Sequence, residues 1–442
     1  MPSVDQQTTQ QAFEPPSSFA SLKLNGASSG SSTIEYPAFS SDPESTEEFF
    51  ERAKQVSDLL GLDVHVRDAA NEIPYRQVQL LKDSGLVTAL GRKEWGGGGQ
   101  TPEVGYQLVR IVARGDGSLG QLLAYHYLWS WTALVVGTEE QIEAEQRRYI
   151  SKKLFYGGAV NPRDSDLAIT ESEDGKSLIF NGKKAFSTGS KISDLTVLEG
   201  VLPDGKTHVF AIADSKQDGI RYGDDWKGVL GMIGTQSGSI SITNVSVPRS
   251  SALGFNDKNE FVPLGAFNTL LLPAIQLFFI SFYLGIAEGA LKKASKYTVA
   301  NTRAWPFAGD VKSAGHEEFY IQEIYGTLQA KLWAIEAQVD VLATSISALL
   351  TRKDRSSVTE TERGEIAVRI AAAKVTSTEV ALEVTNQIYE VLGARSISFK
   401  AGFDQFWRNV RTHTLHDPVA HKRAEVGRYA LKGELPTPTW YT

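Results

Sequence analysis

The chain has 442 residues, 41% of them hydrophobic, and a formal net charge of −7. That length supports a large core split among several domains, and the acidic balance excludes a nucleic-acid face built on summed positive charge. Cysteine is absent, which excludes disulfides, thiol nucleophiles and thiolate metal sites and suits a reducing compartment.

Residues 1–44 are rich in Ser, Pro, Gln and Gly with few bulky apolar groups, a composition expected of a disordered tail. The first lysine is Lys23 and the first arginine Arg52, so no basic leader is expected and the protein is placed in the cytoplasm. Order is expected from "STEEFFERAKQVSDLLG", where Ser45 and Glu48 form a capping box and Phe49, Phe50, Ala53, Val56, Leu59 and Leu60 make a stripe. Similar patterning predicts an N-terminal helical domain over 45–152. The run "EWGGGGQ" neither follows a strand nor ends in Gly-Lys-Ser/Thr, so it reads as a flexible turn and not as a phosphate loop.

The period then changes. "KSLIFNGKKAFSTG" sets Asn181-Gly182 between two strand-like runs, Asp204-Gly205 repeats that hairpin signal, and "SGSISITNVSVP" alternates. Residues 153–262 are therefore expected to form a central antiparallel β domain. Helical spacing returns over 263–436, with Ile321, Leu328, Leu332, Ile335, Val339, Leu342, Ile346 and Leu349 on one face and a Thr359–Glu362 cap before the next helix. Residues 437–442 read as a short tail. "LLLPAIQLFFISFYLGIA" is long enough to cross a bilayer. Pro273, Gln276 and Ser281 interrupt it and no basic flank precedes it, so a buried helix and no membrane partner are expected.

The chain has seven histidines and sets His413, His416 and His421 within "RNVRTHTLHDPVAHK". Imidazole is the side chain that titrates near neutrality. Asp417-Pro418 reads as a cap and first-turn pair, which puts His421 on the surface and makes His-x-x-His-Asp poor facial geometry for a metal. No metal is expected.

The α+β order helical, β, helical resembles the acyl-CoA dehydrogenase superfamily: an N-terminal helical domain, a central antiparallel β domain and a C-terminal four-helix bundle. "GKKAFSTGSKISD", "WKGVLGMIGTQSGSISITNVSVP" and "YLGIAEGALKKASKYTVANTRAW" carry that resemblance. Within it, "DGSLGQLLAYH", "LGAR" and "FDQFWRNVRTHTLHDPV" are similar to dibenzothiophene monooxygenase and its flavin-dependent relatives. That resemblance implies a two-component enzyme. By that resemblance reduced FMN is expected from a separate NAD(P)H:flavin reductase, with O2 adding to give a C4a-hydroperoxide. The expected outcome is oxygenation of sulfur or nitrogen of a hydrophobic heteroaromatic or amine, by a homotetramer.

The dehydrogenase alternative needs a carboxylate to take a proton beside a thioester. The family's two places for it are empty: no acid lies between Asp404 and Asp417, nor between Glu260 and Glu288. A dehydrogenase or oxidase would require a relocated base. Histidines stand there instead. His416 resembles the family's C-terminal catalytic histidine, His126 in "AYH" the second one, and His413 is expected to line the same pocket. Thr188 matches a hydroxyl placed near the flavin's reactive edge, with Trp226 and Ser237 expected against the ring or ribityl chain. Arg303, across a subunit boundary, and Arg395, after Gly393, match positions where the family uses an arginine for phosphate. Two departures stand out: Gly158 where the relatives carry asparagine, and Ile233 in place of an arginine.

Overall fold

A computed structural model describes residues 34–161, 164–256 and 258–439. Most of the expected tail, residues 1–33, lies outside the described residues, as do 440–442. Residues 34–44, assigned to that tail by composition, pack on the helices instead. Arg76 donates to the Ile34 carbonyl at 2.8 Å, Gln77 to the Tyr36 hydroxyl at 3.0 Å, and the Arg52 guanidinium lies 4.2 Å above the Phe39 ring.

The N-terminal region is helical: α1 (Thr46–Gly61), α2 (Val64–Ala69), α3 (Tyr75–Asp83), α4 (Pro102–Gly115), α5 (Gly117–Ser130), α6 (Thr132–Val136) and α7 (Glu139–Lys152). The Ser45–Glu48 capping box forms as expected. α5 is buried on every side, so its polar residues all face protein. The glycine run is not a loose turn: Gly98 N–H donates to the Thr88 carbonyl at 2.9 Å. A Cβ at Gly98 would lie 2.4 Å from the Phe49 ring, so the backbone packs where a side chain cannot.

The sheet holds β1 (Tyr156–Ala159), β2 (Leu167–Glu171), β3 (Ser177–Lys184), β4 (Leu195–Val201), β5 (His208–Asp214), β6 (Ile220–Tyr222) and β7 (Ile240–Pro248). Antiparallel pairing holds for β2–β3, β3–β7, β4–β5 and β6–β7, whereas β1–β4 and β2–β4 run parallel. Asp204-Gly205 makes its turn between β4 and β5, with the Asp204 carboxylate accepting from the Lys206 and Thr207 amides. Asn181-Gly182 does not. It lies within β3 at a register shift against β7, and the Asn181 side chain accepts from the Asn244 amide at 2.8 Å. A bulge and a hairpin turn draw on the same Asn-Gly chemistry, and strand pairing on both flanks selected the bulge.

The C-terminal region has three long helices, α8 (Leu271–Asn301), α9 (Phe319–Leu350) and α10 (Glu360–Leu392), then α11 (Asp404–His413) and α12 (Val419–Lys432). α8 and α10 run parallel: Thr302 donates to the Val391 carbonyl at one end, and Arg363 donates to Thr269 at the other. The span-length apolar window of α8 is 94% buried inside the protein, because α4, α5, α9, α10 and α11 surround it.

Candidate active site

Chemistry-bearing residues converge where α5, α8, α10 and the α11–α12 turn meet the loop after β3. Asp116 caps α5, accepting from the Ser118 and Leu119 amides at 2.9 and 3.2 Å, and a buried Arg67 holds that carboxylate at 3.0 Å. The helix so fixed directs Tyr125 onto Phe279 of α8, stacked with centroids 6.1 Å apart, and Trp129 edge-on to Tyr125 at 6.2 Å. Burial lifts the Tyr125 phenol well above its ordinary value, and the Asp417 charge adds to the rise. Gln121 and Thr188 are the polar side chains that this phenol meets.

α11 ends on His413, which is buried edge-on to Phe279 at 4.6 Å and Phe282 at 4.7 Å. The Tyr283 hydroxyl lies 2.7 Å from His413 Nδ1 and donates to the His413 carbonyl at 3.1 Å. Nδ1 is thus engaged by the Tyr283 hydroxyl in either tautomer. The other nitrogen, Nε2, is buried and has no protein partner. Burial, followed by the neighbouring His416 and Lys374, pushes the His413 imidazole well below its ordinary pKa, so it is neutral at pH 7.

His416 stacks on His413, with rings 5.2 Å apart and 4° from parallel, but its own side chain is 44% exposed. Its Nδ1 lies 3.4 Å from Asp417 Oδ2. The same carboxylate oxygen accepts from Gln276 of α8 and faces Lys374 Nζ of α10 at 3.6 Å. Asp417 therefore does not cap α12: the N-cap is Pro418, with no side-chain bond. Buried charge partners attracted the carboxylate more than exposed amides could. Burial alone would lift the Asp417 carboxyl, but His416, Lys374 and Gln276 outweigh it and hold it well below the usual carboxylate range.

Across the site a polarised chain of hydroxyls joins the loop after β3, which holds Thr188, to the loop before β7, which holds Ser237 and Thr235. Thr188 meets Ser237 at 2.9 Å, Ser237 meets Thr235 at 2.7 Å, and Thr235 donates to the Met232 carbonyl at 2.7 Å. A carbonyl can only accept, and each hydroxyl has one proton. Ser237 must then donate to Thr235 and Thr188 to Ser237, leaving Thr188 Oγ1 as an acceptor. Asn409 of α11 ties the loop before β7 to the histidine helix by accepting from the Met232 amide at 2.7 Å.

Residues 277–420 match the family of the acyl-CoA dehydrogenase C-terminal domain. The chain is 37% identical to a dibenzothiophene monooxygenase of Mycolicibacterium goodii over 84% of this chain and 91% of that one. It is 31% identical to a probable FMNH2-dependent monooxygenase of Pseudomonas putida over 85% of this chain and 93% of that one. The structure of TdsC from Paenibacillus sp. A11-2 with FMN and indole superposes with a TM-score of 0.83 at 32% identity, covering 90% of this chain and 100% of TdsC. The chain belongs to the flavin-dependent monooxygenases of the acyl-CoA dehydrogenase fold. Its fold and the resemblance carried by its motifs agree with that membership.

Against the expectations for this family, the structure brings Thr188, Ser237, His413 and His416 to one junction and leaves others outside it. His126 is a correction. Its Nε2 is 2.7 Å from the Val87 carbonyl and its Nδ1 accepts from the Tyr156 amide at 3.1 Å. Both nitrogens are engaged, and burial drives its pKa down to about 4, so it braces α5 against β1 and has no free atom for a ligand. Trp226 donates its indole N–H to Met232 O at 3.0 Å and packs against Phe186, its ring half-buried on the hydroxyl loop. Arg303, Gly393 and Arg395 are exposed just past the C-termini of α8 and α10. Helix rise places that end about 27 Å from Tyr283, so within one chain the arginines are remote from the histidines.

Lys374, Tyr283, Tyr125 and Asn409 were not singled out by sequence reasoning, and Asp417 and Gln276 were read only as a helix cap and as an interruption of the apolar run. Lys374 left a signal: it stands in the buried stripe Ile366, Ile370, Lys374, Ser377, Ala381, where helical spacing calls for an apolar residue. Tyr125 and Tyr283 left none, since aromatic residues in apolar helices read as core.

Proposed function

We propose that this protein is the oxygenase of a two-component system. It takes reduced FMN from a separate NAD(P)H:flavin reductase and uses O2 to oxygenate sulfur or nitrogen of a hydrophobic heteroaromatic or amine. The observation that carries the reading is the neutral His413, whose Nε2 is buried without a protein partner beside Phe279 and Phe282. Buried polar atoms are nearly always paired, and Trp129 Nε1 and Ser187 Oγ are also buried without protein partners. Such atoms fit a polar ring system bound between the hydroxyl loop and the imidazoles.

When bound, reduced FMN supplies two electrons to O2 and thereby the oxygen atom for transfer. The chain's own residues do the rest. Thr188 presents an acceptor, suited to the ring N–H that reduced FMN carries and oxidised FMN lacks. His413 accepts or returns a proton at Nε2. Phe279, Phe282, Tyr125 and Trp129 exclude water, which would otherwise discharge the oxidant as peroxide.

Acyl-CoA dehydrogenation is disfavoured by the same geometry. Asp417 is the carboxylate of the cluster, and His416, Lys374 and Gln276 together keep it a weak base. The expected homotetramer agrees with the exposed face of α9, where Gly326, Ala330, Trp333, Ala337 and Val341 recur at helical spacing. A neighbouring copy there would let Arg303 and Arg395 meet a flavin phosphate that their own chain cannot reach.

The test is to mix anaerobically prepared protein and reduced FMN with O2 in a stopped-flow instrument, with aromatic sulfides and amines present. A transient absorbance unlike reduced or oxidised FMN, followed by oxygenated product, is expected. Immediate formation of oxidised FMN and stoichiometric peroxide with every substrate, or flavin reduction by an acyl-CoA, would overturn the reading.

A further inference from the structure

We infer that Lys374 is a positioning residue: its buried ammonium clamps the His416–Asp417 turn and, through the Asp417 carboxylate, sets the orientation and proton affinity of the His416 imidazole. The relevance to oxygenation rests on the function proposed above, whereas the clamp is a property of the chain itself.

The Lys374 side chain has no solvent exposure. A buried ammonium is costly unless paired, and the partners of this one are specific. It donates to the His416 carbonyl at 3.3 Å, faces Asp417 Oδ2 at 3.6 Å and lies 5.2 Å from the Phe279 ring centre. Both polar contacts fall on one turn, and that turn is strained: Asp417 has φ 53°, a left-handed conformation that a non-glycine residue holds only with local support. Gln276 grips the same carboxylate oxygen from α8. His416 Nδ1 rests against that oxygen, so the opposite edge of the ring, Nε2, is turned away from the turn and free for a ligand. An orienting carboxylate fixes an imidazole's tautomer in this way.

The charged and titratable groups around the clamp are few. α11 brings His413, stacked on His416. α8 brings Tyr283, hydrogen-bonded to His413, together with the neutral Gln276, and α5 brings Tyr125, whose phenol feels the Asp417 charge. α12 brings Lys422 and Glu425, which pair with each other at 2.9 Å. The balance at His416 is therefore set by Lys374 against Asp417. Burial pulls the Lys374 ammonium down to about 8, against the opposing attraction of Asp417, so it is charged at pH 7.

The test needs neither flavin nor turnover. Diethylpyrocarbonate acylates only neutral imidazole, and its rate at His416 in the full chain, resolved by peptide mass spectrometry, is followed against pH. Lys374→Met removes the positive charge and should raise the midpoint for His416 relative to wild type. Asp417→Asn removes the negative charge and should lower it. Lys374→Gln serves if the methionine variant fails to fold as judged by its urea midpoint. Opposite shifts support the clamp; coincident profiles, shifts in the same direction, or a response to only one substitution overturn it. The oxygenase reading fails separately, if wild-type protein neither binds reduced FMN nor forms product. When it does form product, the acid limb of its pH–rate profile should move with the acylation midpoint.

Discussion

His413 and His126 show how far two imidazoles on one chain can differ. Each is buried and each is held neutral, yet His126 spends both nitrogens on backbone and His413 keeps one. Replacing His413 by Phe, which fills the same apolar nest, should lower oxygenated product roughly 100-fold or more while flavin oxidation continues as peroxide leak. Unchanged coupling in a product-versus-peroxide assay would remove its role. His126 makes a stability prediction instead. Its folded pKa of about 4 lies below the ordinary 6.5, so unfolding takes up a proton between those values. Its contribution is complete above pH 6.5 and is lost as pH falls toward 4, on the order of 3 kcal/mol in all. Urea unfolding followed from pH 7 to 4 should show this loss in wild type and a shallower one in His126→Asn.

Among the elements, α5 has the largest influence on the site, because Tyr125 and Trp129 both project from it. Its cap Asp116 is also an ion-pair partner of Arg67, whose side chain is only 5% exposed. Asp116→Ala should remove the cap, worth about 1 kcal/mol, and leave Arg67 with one carboxylate, Asp63, in a buried setting. Breaking a buried pair costs roughly 3–5 kcal/mol, so a large fall in urea midpoint is expected, whereas Asp116→Asn should retain part of the cap. A loss under 1 kcal/mol in the alanine variant would show that Asp63 and the Leu60 carbonyl, which also bind Arg67, suffice. The opening of "DGSLGQLLAYH" is thus explained by helix capping, with no contact to a ligand required. Gly158 belongs to the same scale. A Cβ there would lie 2.3 Å from the Trp129 ring, so β1 and α5 meet closely enough that the indole occupies the place of any side chain at 158.

At the scale of the whole molecule, one chain holds the imidazoles beside the middle of α8 and α10 and the two arginines past the C-terminal ends of those helices. The proposed assembly resolves that separation by letting a second copy bring its arginines across. Trp333, 64% exposed on the small-residue face of α9, is the test. Trp333→Glu should convert the assembly to a smaller species in light scattering and weaken reduced FMN binding at least tenfold. Arg303→Ala should weaken the binding alone. An unchanged mass for the tryptophan variant would place the interface elsewhere.

Much of this was determined by sequence. The capping boxes at Ser45 and Thr359, the α9 stripe and the Asp204-Gly205 turn are local events, fixed by side chains within a few residues of one another, and they formed as read. The absence of a carboxylate in the expected stretches was equally plain, and the histidine-rich string pointed to the family. Tertiary structure decided what depends on distant partners. Asn181-Gly182 became a bulge because β7 pairs along both sides of it. Asp417 left its capping position because Lys374 and Gln276, far away in the chain, offered a buried cation and an amide. His126 became a brace because Val87 and Tyr156 claimed its nitrogens. A side chain's role follows from which polar partners burial leaves within reach of it, and burial is settled only when the helices pack.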